Sequence, residues 1–249
     1  MGAIQQSFLC PRWIHPSVKV GALFSGGKDS TYALYTAQQM GWEVSSLLTL
    51  VPRNPASHMY HVPNIHLVPI LSDCLGIPLV QREADSGETN ELEALKSLLK
   101  IVEIDGVVTG AIESEYQKAR IDRVCHELGL RTFSPLWRRR QADLLDDYLT
   151  AGFRVLIVGV AAEGLDSTWL GRELDHQAKE QLLALHKKHG LSPCGEGGEY
   201  ESLVLDGPNF HRRLQVIESR TEWNGTSGQL NITKAEAVEK DSWNGAARI

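Results

Sequence analysis

"VGALFSGGKDSTYAL", residues 20–34, decides how the chain folds at its start. An apolar run ends in Ser-Gly-Gly-Lys-Asp-Ser, and apolar residues then recur at helical spacing, so the stretch reads as strand, tight turn and helix. A turn of this kind is suited to an anion. Two phosphate-binding templates fail on it. Aligned on Lys28, a Walker A loop would have Ala22 where its first glycine belongs and Asp29 where Ser or Thr should meet magnesium. A dinucleotide fingerprint needs spaced glycines, and Gly26 and Gly27 are adjacent.

The remaining pattern still has a physical reading. Gly26 and Gly27 let the backbone approach an anion closely and turn N–H groups toward it, and a helix beginning near Ser30 adds the positive end of its dipole. Ser25 and Ser30 supply hydroxyls and Lys28 a point charge. Asp29 is the exception, because a carboxylate beside phosphate repels it; either a magnesium ion intervenes or Asp29 caps the helix. S-G-G-x-D-S between strand and helix resembles the PP-loop of the ATP pyrophosphatases. That resemblance implies ATP bound by Ser25 to Ser30 and cleaved between its α and β phosphates, with pyrophosphate departing into the loop.

Outward from the turn, strand-like and helix-like runs alternate. Strands are expected at 18–24, 43–51, 77–83 and 105–112, and helices at 30–42, 65–76, 89–104 and 114–129, with Gly129 as the last helix's stop. Thr89 opens its helix like a capping box, but Leu92 stands where Glu would be. This rhythm implies a parallel sheet covered on both faces. One more helix and strand, 142–152 and 153–161, continue it. A helix at 173–190 and three runs suited to antiparallel strands then follow, at 203–207, 213–223 and 229–239. The fold class is α/β: a doubly wound parallel sheet of the Rossmann-like kind that binds adenine nucleotides, with a smaller C-terminal α+β substrate domain. The boundary is expected at 132/133, dividing a nucleotide-binding domain (1–132) from a substrate domain (133–249).

Composition limits the function. With 249 residues, 42% hydrophobic and 22% charged, the chain can bury a large core. No apolar run approaches the roughly 20 residues that span a bilayer, and the first residues do not read as a signal peptide, so a cytoplasmic protein without membrane attachment is expected. The net charge of −6 speaks against a stable grip on nucleic acid. Cys10, Cys74, Cys125 and Cys194 are far apart and form no C-x-x-C pair, which argues against a zinc knuckle, an iron–sulfur site or a disulfide framework. "HMYH" and "HKKH" have metal-like spacing but no clear third ligand.

Further motifs carry a closer resemblance. "MYH" (59–61) with Asn64, "YQKARI" (116–121), "PLW" (135–137), "WLGREL" (169–174) and "GEGGEYES" (195–202) followed by "LVLDGP" are similar, together with the loop, to the diphthine–ammonia ligase family. The resemblance covers roughly 18–215; residues 1–17 lie outside it, and extra domains fused to some longer members are not expected. It implies that a carboxylate on diphthine, a modified histidine of translation elongation factor 2, is adenylated by ATP with magnesium and amidated by free ammonium. A homodimer is compatible with the sequence.

Roles follow residue by residue. Lys28, Asp29, Arg120 and Glu199 are the catalytic candidates, Asp29 also the metal candidate; Ser25, Gly26, Gly27, Lys28, Asp29, Ser30 and Gly110 bind nucleotide. His61, Tyr116, Gln117, Trp137, Trp169, Glu196, Glu199, Tyr200 and Glu201 are the substrate candidates. Glu196, Glu199 and Glu201 crowd like charges that a cation would relieve, so the acidic loop with Tyr200, Trp137 or Trp169 is expected to receive the trimethylammonium of diphthine. The plainer alternatives are a turn into an edge strand for the acidic loop and an exposed helix face for "YQKAR". A tRNA-modifying thiolase or lysidine-type ligase and a non-catalytic ATP binder are the rival functions.

Overall fold

The computed structural model describes residues 18–53, 63–85 and 87–240. β1 (Lys19–Leu23) lies at the centre of a five-stranded parallel sheet, flanked by β2 (Glu43–Pro52) and β4 (Gly106–Val108), with β3 (Leu79–Ala84) and β5 (Arg131–Phe133) at the edges. Both faces of β1 are apolar, as a sheet covered twice requires. Val20, Ala22 and Phe24 face one core, and Leu23 packs against the other. Helices α3 (Glu88–Leu99) and α4 (Glu115–Glu127) cover the second face through Leu95, Leu98 and Val124. Helices α1 (Lys28–Gln39) and α2 (Val68–Leu75) cover the first through Ala33, Leu34 and Leu71.

The order β3-β2-β1-β4-β5 reverses direction between β1 and β4, so the loops leaving those strands part and open a crevice at the C-terminal edge. The turn at 25–27 leaves β1 there, and residues 109–114 leave β4 there.

After α5 (Gln141–Thr150), the chain builds a four-stranded sheet in the order β7-β6-β9-β8, from β6 (Arg154–Val160), β7 (Tyr200–Asp206), β8 (Arg212–Trp223) and β9 (Gly228–Glu239), with α6 (His176–His189) between β6 and β7. All its pairings are antiparallel. One apolar core joins the two sheets, running from Val20 and Leu34 through Leu71, Leu145 and Tyr148 to Val158, Leu203 and Ile232. Each large side chain fully withdrawn from water contributes about 1.5–3 kcal/mol, so this shared core fixes the second sheet against α1 and α2.

Four expectations need correction. The strand read at 153–161 does not extend the parallel sheet; β6 pairs antiparallel with β7 and β9. The helix read at 89–104 ends at Leu99, because Asp105 is drawn to the sheet edge, its main-chain N–H donating to Lys19 O and its Oδ2 accepting from Lys19 N. The strand read at 105–112 stops at Val108, since Gly110 must pass against the first turn of α1. Three-residue β5 was not foreseen; it is too short to display alternation.

Candidate active site

The turn is shaped by its glycines. Gly26 has φ of +81°, and a Cβ there would come within 2.7 Å of Leu71 Cδ1. Gly27 is the N-cap of α1, so the helix begins at Lys28, two residues earlier than the spacing suggested. The hydroxyls tie the turn together: Ser25 Oγ and Ser30 Oγ lie 3.2 Å apart, and Ser30 Oγ donates to Gly27 O at 3.1 Å. The second sheet clamps it from behind. Val204 N donates to Gly26 O at 2.9 Å, and Lys28 N donates to Ser202 Oγ at 3.2 Å. Gly110 closes the other side; a Cβ would sit 2.7 Å from Asp29 C and Ser30 N. Only glycine allows that approach.

Lys28 and Asp29 form the charged centre. Lys28 is 3% exposed; its Nζ meets Asp29 Oδ2 at 2.9 Å, donates to Cys194 O, and stands 4.8 Å from the centre of the Tyr200 ring. Burial pulls most strongly against its charge, but the Asp29 carboxylate, together with Tyr200 and Cys194 beside it, outweighs this and holds the ammonium pKa above its usual range. Asp29 does not cap the helix, for α1 has no side-chain cap. Its Oδ1 instead accepts a hydrogen bond at 2.7 Å from Tyr148 of α5, a residue the sequence did not single out. Burial, then Asp29, keeps the Tyr148 hydroxyl protonated far into the alkaline range, so it can only donate here.

These residues line one end of a cavity of about 840 Å³. Ser25, Gly27, Lys28, Asp29 and Ser30 form its floor, and Gly110, Ser202 and Glu201 its sides. Gly26 supports the floor without lining it. The other end is apolar, walled by Leu48, Leu50, Leu92, Leu95 and Ile121, and suits a flat base. Arg120 lines it too, 3.8 Å from Glu91 and stacked 4.3 Å from the Tyr116 ring. Tyr116 is 56% exposed, and Gln117 stands beside it on the wall. Ser114 caps α4 by accepting from Gln117 N at 3.3 Å, which fixes this rim.

The acidic loop relieves its crowding by turning its carboxylates apart. Glu199 faces its own loop, Oε1 accepting from Ser192 N at 2.9 Å and Oε2 from Gly197 N at 2.8 Å. Glu196 accepts from Glu113 N at 3.0 Å, bridging to the loop after β4; burial raises its pKa. Glu196 and Glu201 line the cavity, and Glu199 does not. Gln141, also unforeseen, braces the assembly: its Oε1 accepts from Ser192 Oγ and Cys194 N, and its Nε2 donates to Glu113. The aromatic candidates each face a protein cation, and of them Tyr116 and Tyr200 also line the cavity. Tyr200 is buried beneath Lys28 and donates to Pro193 O; Trp169 is buried beneath Arg172; Trp137 lies between Lys118 and Arg138. None of the two tryptophans lines the cavity. His61, with Met59 of its motif, lies outside the described residues.

Among the described residues, no group of three or more His, Cys, Asp or Glu is gathered to hold a metal, and no helix is long and apolar enough to cross a membrane. In the "HKKH" run, His186 pairs with Leu191 O and His189 with Glu163. Burial pushes the thiols of Cys74 up to about 11 and of Cys125 and Cys194 to about 12, so all three stay protonated at neutral pH.

Two family profiles match the chain: one described as the diphthamide synthase N-terminal domain, over residues 18–132, and one as the diphthamide synthase C-terminal domain, over residues 141–238. Among curated relatives named diphthine–ammonia ligase, the protein of Schizosaccharomyces pombe is 38% identical over 245 residues, covering 90% of this chain and 40% of its own length. The protein of Bos taurus is 37% identical over 225 residues, 81% of this chain and 84% of the relative. That of Danio rerio is 34% identical over 252 residues, 90% and 98% respectively.

Proposed function

The chain belongs to the diphthamide synthase family, and we propose that it performs the reaction its relatives are named for, joining ammonia to diphthine at the expense of ATP. The observation that carries this reading is the glycine-built turn at 25–30, clamped by Gly110 on one side and by Ser202 and Val204 on the other, at the floor of a cavity with room for more than a triphosphate.

In this reading the adenine enters the apolar end and the β and γ phosphates meet the turn. The diphthine carboxylate, already ionised at neutral pH, attacks the α phosphorus; pyrophosphate leaves into the turn, and ammonia then displaces AMP from the mixed anhydride. The protein's part is to hold these groups in line and to stabilise charge where it develops on the leaving pyrophosphate. Arg120, on the cavity wall with its guanidinium stacked on Tyr116, screens the approach of two anions. Magnesium, where ATP brings it, supplies further charge neutralisation. Asp29 is the carboxylate that suits it, since each of its oxygens keeps a lone pair beyond those given to Lys28 and Tyr148.

The cationic end of diphthine is assigned to the carboxylates of Glu201 and Glu196 on the cavity wall, because Tyr200, Tyr116, Trp137 and Trp169 already face protein cations. The protein substrate is elongation factor 2 and the setting the cytoplasm, where translation takes place. Light scattering of the purified chain reads whether it works alone or as a homodimer. The test of the reading is to incubate it with ATP, magnesium, ammonium and diphthine-bearing factor, then weigh the factor. Conversion of the acid to the amide is expected; AMP formed while the factor stays unchanged would redirect the search to RNA substrates. The protonated thiols already disfavour a thiolase.

A further inference from the structure

Tyr148 is 1% exposed, sits on α5 after the first sheet is complete, and sends its hydroxyl 119 residues back along the chain to Asp29 Oδ1 at 2.7 Å. Its ring is packed edge-on to Tyr32 of α1, centroids 4.9 Å apart, so the hydroxyl has little freedom to move. Asp29 Oδ2 is held by Lys28, and the Asp29 main chain is pressed by Gly110. The carboxylate is thereby fixed in position and in rotation. Both partners are donors, so each also reduces the charge that Asp29 would direct at a phosphate.

We propose that Tyr148 is a positioning residue for the nucleotide site, holding the Asp29 carboxylate in the orientation from which it would share a divalent cation with the triphosphate. Tyr148 touches neither ATP nor the cation and acts only through Asp29. The proposal rests on the nucleotide reading of the cavity. It also gives α5, the helix that joins the two sheets, a part in nucleotide binding.

A double-mutant cycle tests this by binding alone, without the protein substrate. Full-length wild type, Tyr148→Phe, Asp29→Asn and the double variant are titrated with ATP by calorimetry, with and without magnesium, and their melting is recorded. Phe keeps the ring and its contact with Tyr32. In the wild type magnesium is expected to tighten ATP binding, and Tyr148→Phe to reduce that tightening by about tenfold, the scale of one hydrogen bond to a charged acceptor. Asp29→Asn should abolish most of it, and the double variant should match Asp29→Asn. An unchanged magnesium effect in Tyr148→Phe overturns the proposal, as does a Tyr148→Phe loss that recurs in full on the Asp29→Asn background, which would mark general loosening. A wild type that binds no ATP at all would overturn the nucleotide reading itself, and the proposal with it.

Discussion

Lys28 Nζ donates to the main-chain oxygen of Cys194, joining residues 166 positions apart. The lysine that opens α1 is therefore also the anchor of the acidic loop, whose Tyr200 ring lies beneath its ammonium. A ligand that draws on the Lys28 charge must affect Cys194 and Tyr200 as well. The turn at 25–30 and the acidic loop are linked through one side chain.

Lys28→Met should cost more than a phosphate contact. Asp29 and Cys194 O would each lose a donor in a buried setting, worth about 2 kcal/mol together, or roughly 4–8 °C of Tm. Calorimetric melting without nucleotide reads this; a variant as stable as wild type would show that the lysine anchors nothing.

Gly110 and Gly129 make a matched pair. Gly110→Ala puts a methyl 2.7 Å from the main chain of Asp29 and Ser30, at a cost of about 1–3 kcal/mol, and should weaken ATP binding by displacing the first turn of α1. Gly129→Ala strains a φ of +70° by about 1 kcal/mol but meets no atom within 4 Å, so ATP affinity should hold. Equal ATP affinity in the two variants would contradict the close approach.

Glu196 gives the fold a pH signature. Burial raises its folded pKa above the ordinary 4.5, so in the window just above that value the folded state holds more protons than the unfolded one, and stability falls as pH rises through it. Glu196→Gln cannot lose that stability. Urea midpoints measured across this window should therefore show wild type losing ground to Glu196→Gln as pH rises; a constant gap would mean that the group titrates normally.

The two glutamates flanking Tyr200 should separate. Glu199→Gln replaces one acceptor of the Ser192 and Gly197 N–H groups, loosening the loop by about 1 kcal/mol, and amide exchange at those two residues should quicken. Glu201→Gln removes a charge from the cavity wall and should weaken binding of the modified factor with exchange unchanged. The reverse pattern would return Glu199 to the substrate.

Much of the fold was legible because its signals are local. Residues 20–34 announce strand, turn and helix through a change of period, and the three late strands are runs rich in strand-forming residues set off by turn residues. The errors came where tertiary contacts decide. Nothing in "FRVLIVGV" tells whether β6 joins the parallel sheet or starts another, for a strand buried on both faces reads alike in either. The length of β4 is set by how close Gly110 passes to α1. The site divides the same way. Ser25 to Ser30 are contiguous and visible, but Tyr148 and Gln141 reach their partners across 119 and 53 residues from a helix whose spacing shows only amphipathicity. Trp169 was expected to receive the trimethylammonium, yet Arg172 of its own motif already lies over the ring.

In the proposed reaction the turn at 25–30 receives departing pyrophosphate while an acid is activated as its adenylate. The most direct test supplies factor whose diphthine carboxylate carries heavy oxygen, adds ATP and ammonium, and analyses the nucleotide product. One heavy oxygen in AMP, with pyrophosphate unlabelled, is the predicted result. ADP and orthophosphate as products, or AMP free of label, would contradict it.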